Sequence, residues 1–285
     1  MRALSEVVVN VEAFVDQGVV GDTPWRVDRD GRPYVPVGDG GVVRGVRLGD
    51  PAYGRVGDHV APGACLVHPV TEARHAVAAL ACLGNRVEVR TGAAAGERGR
   101  VLGKRGGGER VIAVFTPEVL AALRPGDRVS VTTRGQGSSA PVADLTQMNL
   151  DPAAAHLLGT TVASGRLVVS VRTVVASAAV GYGIGRPMAS WDLDLQLPGT
   201  AAPQGLRLGD LVAVTDLDAR WNAGYRRGFV SVGVVVHGDS PEPGHGPGLT
   251  VLWSGPSTSL DLREDPLTHA GLTEETLLSW GEGGD

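Results

Sequence analysis

A chain of 285 residues, 42% hydrophobic and 20% charged, is long enough to bury one large core or two smaller ones, which excludes disorder for most of its length. A net charge of −5 argues against a surface that neutralises phosphates throughout, and Lys104, the single lysine, removes Schiff-base and P-loop lysine chemistry everywhere else. The 42 glycines and 18 prolines keep no fixed period, so collagen is excluded and many short strands joined by tight turns are expected.

The N-terminus lacks an apolar stretch followed by a small-residue cleavage site, and no run approaches the roughly 18 apolar residues of a membrane span, so a cytoplasmic protein is expected. A first strand is predicted at Val7 to Val11. Cys65 and Cys82 lie in apolar surroundings without metal spacing and read as reduced core thiols. Thr71 is predicted to cap a helix whose apolar positions Ala73, Ala76, Val77, Leu80 and Leu83 follow helical spacing up to Gly84. Strands follow at Val87 to Arg90, Arg110 to Phe115 and Arg128 to Thr133, with a short helix opened by Thr116-Pro117 between the last two. Asp151-Pro152 opens a third helix, ended by Gly159. Further strands are predicted at Leu167 to Val175, Leu211 to Thr215, Phe229 to Val236 and Leu249 to Trp253, and Thr273 begins a last helix. Leu123-Arg-Pro-Gly-Asp127 and Leu206-Arg-Leu-Gly-Asp210 read as one turn solution used twice, or as marks of two related halves. The expected fold is α+β but predominantly β, with barrel-like antiparallel sheets and a few short helices. It divides into an N-terminal half, 1–140, and a C-terminal half, 141–285, or forms one compact unit.

The segment 87–115 contains a glycine-rich stretch with Arg98, Arg100, Lys104, Arg105 and Arg110 against Glu97 and Glu109. Gly106, Gly107 and Gly108 leave backbone amides free to approach an anion, so Arg98, Lys104 and Arg105 are candidate anion ligands on a hairpin tip. From Val87 to Lys104 it resembles the KOW motif of ribosomal and transcription-elongation proteins, which implies RNA or protein contact. No aromatic residue in the loop is there to stack on a base.

Histidine is scarce, yet Ser231 to Gly248 carries His237, Asp239 and His245 where an apolar strand enters a turn stiffened by Pro241, Pro243 and Pro247. In an extended strand, side chains at i and i+2 point to one side, so His237 and Asp239 are expected to converge, with His245 returning over them. Gly57-Asp58-His59 forms a second polar turn, a usual place for a site. Together these residues admit three readings. Imidazole and carboxylate ligands suit zinc, manganese or iron, with His237, Asp239 and His245 as metal ligands and water activated at an open position. The same groups can act as a metal-free acid/base set, or the loops can be structural. Asp192 and Asp194, alternating on a strand beside Trp191, and Asp216 with Asp218 after the Leu211 strand each admit two readings, a carboxylate dyad or, preferred, solvated turn carboxylates; Arg227 reads as a bidentate anchor for a substrate carboxylate. His68, His75, His156 and His269 read as surface or helix residues.

Several stretches together resemble one family: Val27 to Pro33 with Gly38 to Gly41, Gly57 to Gly63, Leu83 to Asn85, Gly135 to Gly137, Met148 to Pro152, and Ser231 to Gly248. The pattern is similar to the bacterial and archaeal family catalogued as domain of unknown function 4438. That resemblance implies a compact β-rich protein and carries no activity. The leading expectation is therefore a small-molecule enzyme, a hydrolase or lyase for a polar or anionic substrate. His237, Asp239, His245, Asp58 and His59 surround its reacting centre. A binding module for RNA or an acidic partner is the alternative, and a homo-oligomer is expected on general grounds.

Overall fold

The computed structural model describes residues 7–18, 23, 25–107, 109–196, 205–265 and 271–280. In chain order its first nine strands are β1 (Val9–Val15), β2 (Arg26–Val27), β3 (Pro33–Tyr34), β4 (Val42–Val43), β5 (Gly63–Val67), β6 (Arg86–Val89), β7 (Arg98–Arg105), β8 (Arg110–Val114) and β9 (Arg128–Thr133). Six of these close into an antiparallel barrel in the order β1-β9-β6-β7-β8-β5, with β5 returning to β1 and β4 added at its side. Inward positions are small or branched: Ala13, Val87, Val101, Ala113, Val129 and Val131 are fully buried, which suits a barrel filled by its own side chains.

The remaining strands are β10 (Thr146–Gln147), β11 (Thr161–Ala163), β12 (Arg166–Val171), β13 (Thr173–Ala176), β14 (Leu193–Asp194), β15 (Leu211–Asp218), β16 (Gly224–His237), β17 (Gly248–Pro256) and β18 (Leu260–Glu264). A second sheet runs β10-β17-β16-β15-β13, and β14 pairs with β17. It packs on the outside of the barrel, which explains β7 and β8. Val101, Val111 and Ala113 point into the barrel, whereas Leu102, Ile112 and Val114 join the larger core shared with Val234, Val251 and Trp253. Strands covered on both faces lose the polar alternation of a surface strand.

This packing corrects the expectation of a basic hairpin tip. The chain from Arg98 to Arg105 is a strand of the barrel wall, and Lys104, Arg105 and Arg110 are buried, leaving Arg98 exposed. At Gly103 a Cβ would lie 2.4 Å from Thr250 Oγ1, so glycine here permits the close approach of the two layers. Gly108 and His269 lie outside the described residues.

The helices are α1 (Thr71–Leu80), α2 (Pro117–Ala122) and α3 (Glu274–Ser279), with 3-10 turns at Pro152–Leu158, Ser177–Ala179 and Ser257–Ser259. Thr116, Asp151 and Thr273 cap their helices through side-chain oxygens, as expected. Thr71 does not: it is the first helical residue, and Val70 stands at the cap. The turn before β9 and the turn before β15 share one bond, in which the amides of Arg124 and Arg207 donate to Asp127 and Asp210, each at 2.8 Å. Arg47 and Asp50 repeat it at 3.0 Å, so this is a local turn solution used three times. Among the described residues no helix is long and apolar enough to cross a membrane.

Candidate functional site

The loop that follows β4 carries Asp58 and His59 and is stitched by main-chain bonds to the loop that follows β16. The amide of His59 donates to Asp239 O at 3.1 Å, Gly238 N to Val60 O at 2.9 Å, and Asp239 N to Ala52 O at 2.8 Å. His59 itself sits in the left-handed region at φ 49°, an uncommon conformation in which histidine is enriched among non-glycine residues. His237 ends β16 opposite Gly248, where a Cβ would lie 2.0 Å from Nε2, so only glycine leaves room for the imidazole. His245 stands on the same loop with its ring stacked on Tyr182, centroids 4.2 Å apart.

The carboxylates of this cluster are Asp192 and Asp194, not Asp239. Asp192, Leu193, Asp194 and Leu195 alternate as an extended strand does: both leucines enter the core and both aspartates face the histidines. Each aspartate is 1% exposed, which corrects their reading as solvated turn carboxylates. Asp239 departs because β16 ends at His237 and alternation ends with it. Its Oδ1 instead accepts from the Ser240 amide at 2.8 Å and lies 4.0 Å from Arg29. Arg227 lies ten residues before His237 on the exposed first half of β16, roughly 30 Å away along the strand. Asp216 and Asp218 lie on β15 rather than in a turn: Asp218 is buried and pairs with Arg220 and Arg226, and Asp216 accepts from Gly228 N on β16, away from the histidines.

The distances within the cluster are short. His59 Nε2 lies 3.0 Å from His245 Nδ1 and 3.5 Å from Asp194 Oδ2, and His245 Nδ1 lies 2.9 Å from the same oxygen. His237 Nε2 is 2.8 Å from Asp192 Oδ2 and 3.7 Å from Asp194 Oδ1. Behind His59, Asp58 Oδ1 stands 2.5 Å from Nδ1, and its other oxygen accepts from Arg26 at 3.3 Å and from the Tyr34 hydroxyl at 3.0 Å. Burial alone would raise the Asp58 carboxyl, but the hydrogen bond and charge of His59 outweigh it and bring it to about 2. Burial would likewise lower His59, yet Asp194 and Asp58 pull it up to about 10. Asp194 is held ionised against its burial by His245, His59 and His237.

Two further features describe how these atoms face one another. First, His237 Nδ1 lies 3.0 Å from the carbonyl of Gly238, which only accepts, so Nδ1 donates there and Nε2 is the atom turned toward Asp192 Oδ2 at 2.8 Å. A positive charge, whether a proton or a metal ion, is needed to make that contact attractive. Second, six buried polar side-chain atoms among the described residues lack a well-aligned hydrogen bond, and five are at or beside this cluster: Asp58 Oδ1 and His59 Nδ1, which face each other, Asp194 Oδ2, which faces His245 and His59, and Arg105 Nε and Trp191 Nε1. Native interiors leave few such groups without a reason.

A cavity of about 280 Å³ opens on the cluster, lined by His59, His245, Asp192, Asp194, Tyr182 and the side chains of Arg26, Arg105 and Glu242. Arg26 is engaged by Asp39, Asp58 and Glu242. Arg105 bonds Asp39 through Nη1; burial and nearby Arg110 lower it to about 10, so it stays cationic at neutral pH. Lys104 does not reach this cavity. Its ammonium donates to Asn149 Oδ1 at 2.7 Å and to the carbonyls of Ala79 and Ala189.

Two family models divide the chain: domain of unknown function (DUF4438), N-terminal, matches residues 25–156, and its C-terminal counterpart matches 157–271. The chain belongs to the DUF4438 family. Both halves of the family pattern contribute to the cluster, Asp58 and His59 from the first, Asp192, Asp194, His237 and His245 from the second. The crystal structure of TM1086 is similar to this chain over 96% of each, at 34% identity and a TM-score of 0.89. No curated protein matches.

Proposed function

We propose that this DUF4438 protein is a metal-dependent hydrolase of a small, polar, anionic substrate. The supporting observation is the convergence of His59 Nε2, His245 Nδ1 and Asp194 Oδ2 at the wall of a cavity that Asp192 also lines. The edges of the triangle His59 Nε2, His245 Nδ1 and Asp194 Oδ2 measure 3.0, 2.9 and 3.5 Å. Ligands about 2.1 Å from one metal ion are separated by about 3.0 Å at octahedral and about 3.4 Å at tetrahedral angles. Two histidines and one carboxylate fit zinc, manganese or iron and leave coordination positions open. A divalent ion there would lower the pKa of bound water toward neutrality and supply the nucleophile for hydrolysis.

The chain's own groups then take definite parts. Asp58 orients His59 from behind, and the Gly238 carbonyl fixes the tautomer of His237. Arg105, cationic and with Nε free of a partner, is the group in the wall that binds a substrate oxyanion. Glu242, held by Arg26 at the mouth, is placed to take a proton from water. A volume of about 280 Å³ falls just under the roughly 300–1,000 Å³ of pockets for drug-sized molecules, which supports a small substrate.

Elemental analysis of protein purified without a histidine tag tests this reading, with hydrolysis of a panel of small anionic esters, amides and lactones assayed before and after chelation. A stoichiometric transition metal, lost in His59→Ala together with hydrolysis, is the expected result. Substoichiometric metal in the native protein, unchanged in His59→Ala, overturns it.

A further inference from the structure

We infer that the site holds two divalent cations rather than one, with Asp194 as the carboxylate that bridges them; this rests on the metal-dependent reading above. Two sets of three ligand atoms, each within 4.8 Å of one another, are present among the described residues: His59, Asp194 and His245, and Asp192, Asp194 and His237. They share Asp194, and its two oxygens divide between them. Oδ2 faces His245 Nδ1 at 2.9 Å and His59 Nε2 at 3.5 Å, whereas Oδ1 faces His237 Nε2 at 3.7 Å. A carboxylate that addresses one ligand set with each oxygen has the geometry to span the about 3.5–4 Å between ions of a two-metal site.

The second set is built, not incidental. Asp192 Oδ1 is fixed by the amide of Gly106 at 2.7 Å, which leaves Oδ2 free to serve as a ligand. His237 is fixed through Nδ1 by the Gly238 carbonyl at 3.0 Å, which leaves Nε2. These remaining atoms face each other at 2.8 Å, and Asp194 Oδ1 lies 3.7 Å from the same Nε2, so three ligand atoms bound the position of a second ion. Asp194 is 2% exposed at its side chain, and its Oδ2 lacks an aligned hydrogen-bond donor.

The test titrates chelator-stripped, tag-free protein with Zn²⁺ and separately with Mn²⁺, reading stoichiometry by calorimetry and elemental analysis and Mn²⁺ coupling by electron paramagnetic resonance. Two ions per chain are expected, with an exchange-coupled Mn²⁺ spectrum distinct from that of isolated ions. His237→Asn and Asp192→Asn should each reduce binding to one ion and abolish the coupling, with circular dichroism confirming the fold. One ion per chain in the wild type overturns the two-ion inference and leaves the hydrolase reading standing. No stoichiometric binding of either metal overturns both, and the wild-type titration decides this without any substitution.

Discussion

Two of the buried polar clusters among the described residues differ in how completely their hydrogen bonds close. Around Lys104 every named group is answered. The ammonium meets Asn149 Oδ1 and two carbonyls, Asn149 Nδ2 donates to Met188 O and Val251 O, and Gln136 donates to the acceptors Lys104 uses while its own oxygen accepts from Asn149 N. Around His59 closure is incomplete: five buried atoms at or beside that cluster lack aligned partners. Each cluster contains a non-glycine residue in the left-handed region, Asn149 at φ 55° and His59 at φ 49°. Backbone strain therefore does not separate them. Closure does, because a closed network ties layers together whereas an open one retains the capacity to bind.

The largest expected effect breaks the open cluster at its shared ligand. Asp194→Asn should abolish stoichiometric metal binding and lower any hydrolytic rate by more than about 100-fold while the fold persists, measured by elemental analysis and circular dichroism. Asp58→Asn acts one layer out, so metal affinity should fall by about 10- to 100-fold in a competitive chelator titration. Lys104→Met sharpens the contrast from the other side. It removes a donor from a closed network, costing about 1–3 kcal/mol in chemical denaturation, and leaves metal content unchanged.

Alkaline pH gives a smaller effect with a definite sign. Burial raises the Cys65 thiol to about 12 and Cys82 to about 11. Unfolded cysteines titrate near about 8.5, so this contribution to stability is complete below that pH and is lost as pH rises toward the folded values. Burial lowers Lys104 to about 8, below its unfolded value of about 10.4, so the unfolded chain binds the extra proton between those limits and stability gains as pH rises. A Cys65→Ala, Cys82→Ala variant should therefore flatten the alkaline loss of Tm, and Lys104→Met should steepen it. Arg98→Ala, on the exposed start of β7, should change stability by less than about 0.5 kcal/mol and leave metal content untouched.

Much of this was legible in the chain. Valine-rich runs between glycine and proline turns announced the β-rich fold, and Thr116, Asp151 and Thr273 announced their helices because capping is a local bond. The approach of Asp58 and His59 to His237 and His245 was also expected. Asp192 and Asp194 read as alternating on a strand and as one option for a carboxylate dyad, but their burial beside the histidines was not expected, because nothing local ties that strand to the loops that carry them. Asp239 was chosen by continuing the alternation of β16 beyond its end. The basic residues from Lys104 to Arg110 looked like a solvated tip because charge and glycine content do not reveal what packs outside a barrel wall.

The amino-acid order alone determined which stretches extend, where they turn and which helices begin, since those preferences are settled within a few residues by sterics and short hydrogen bonds. Only the folded chain decided which carboxylates join the histidines and which cations are buried, because both follow from the second sheet closing over β7 and β8 and from loops far apart in sequence being tied by main-chain bonds. Burial and convergence belong to contacts between distant segments, and no local pattern contains them.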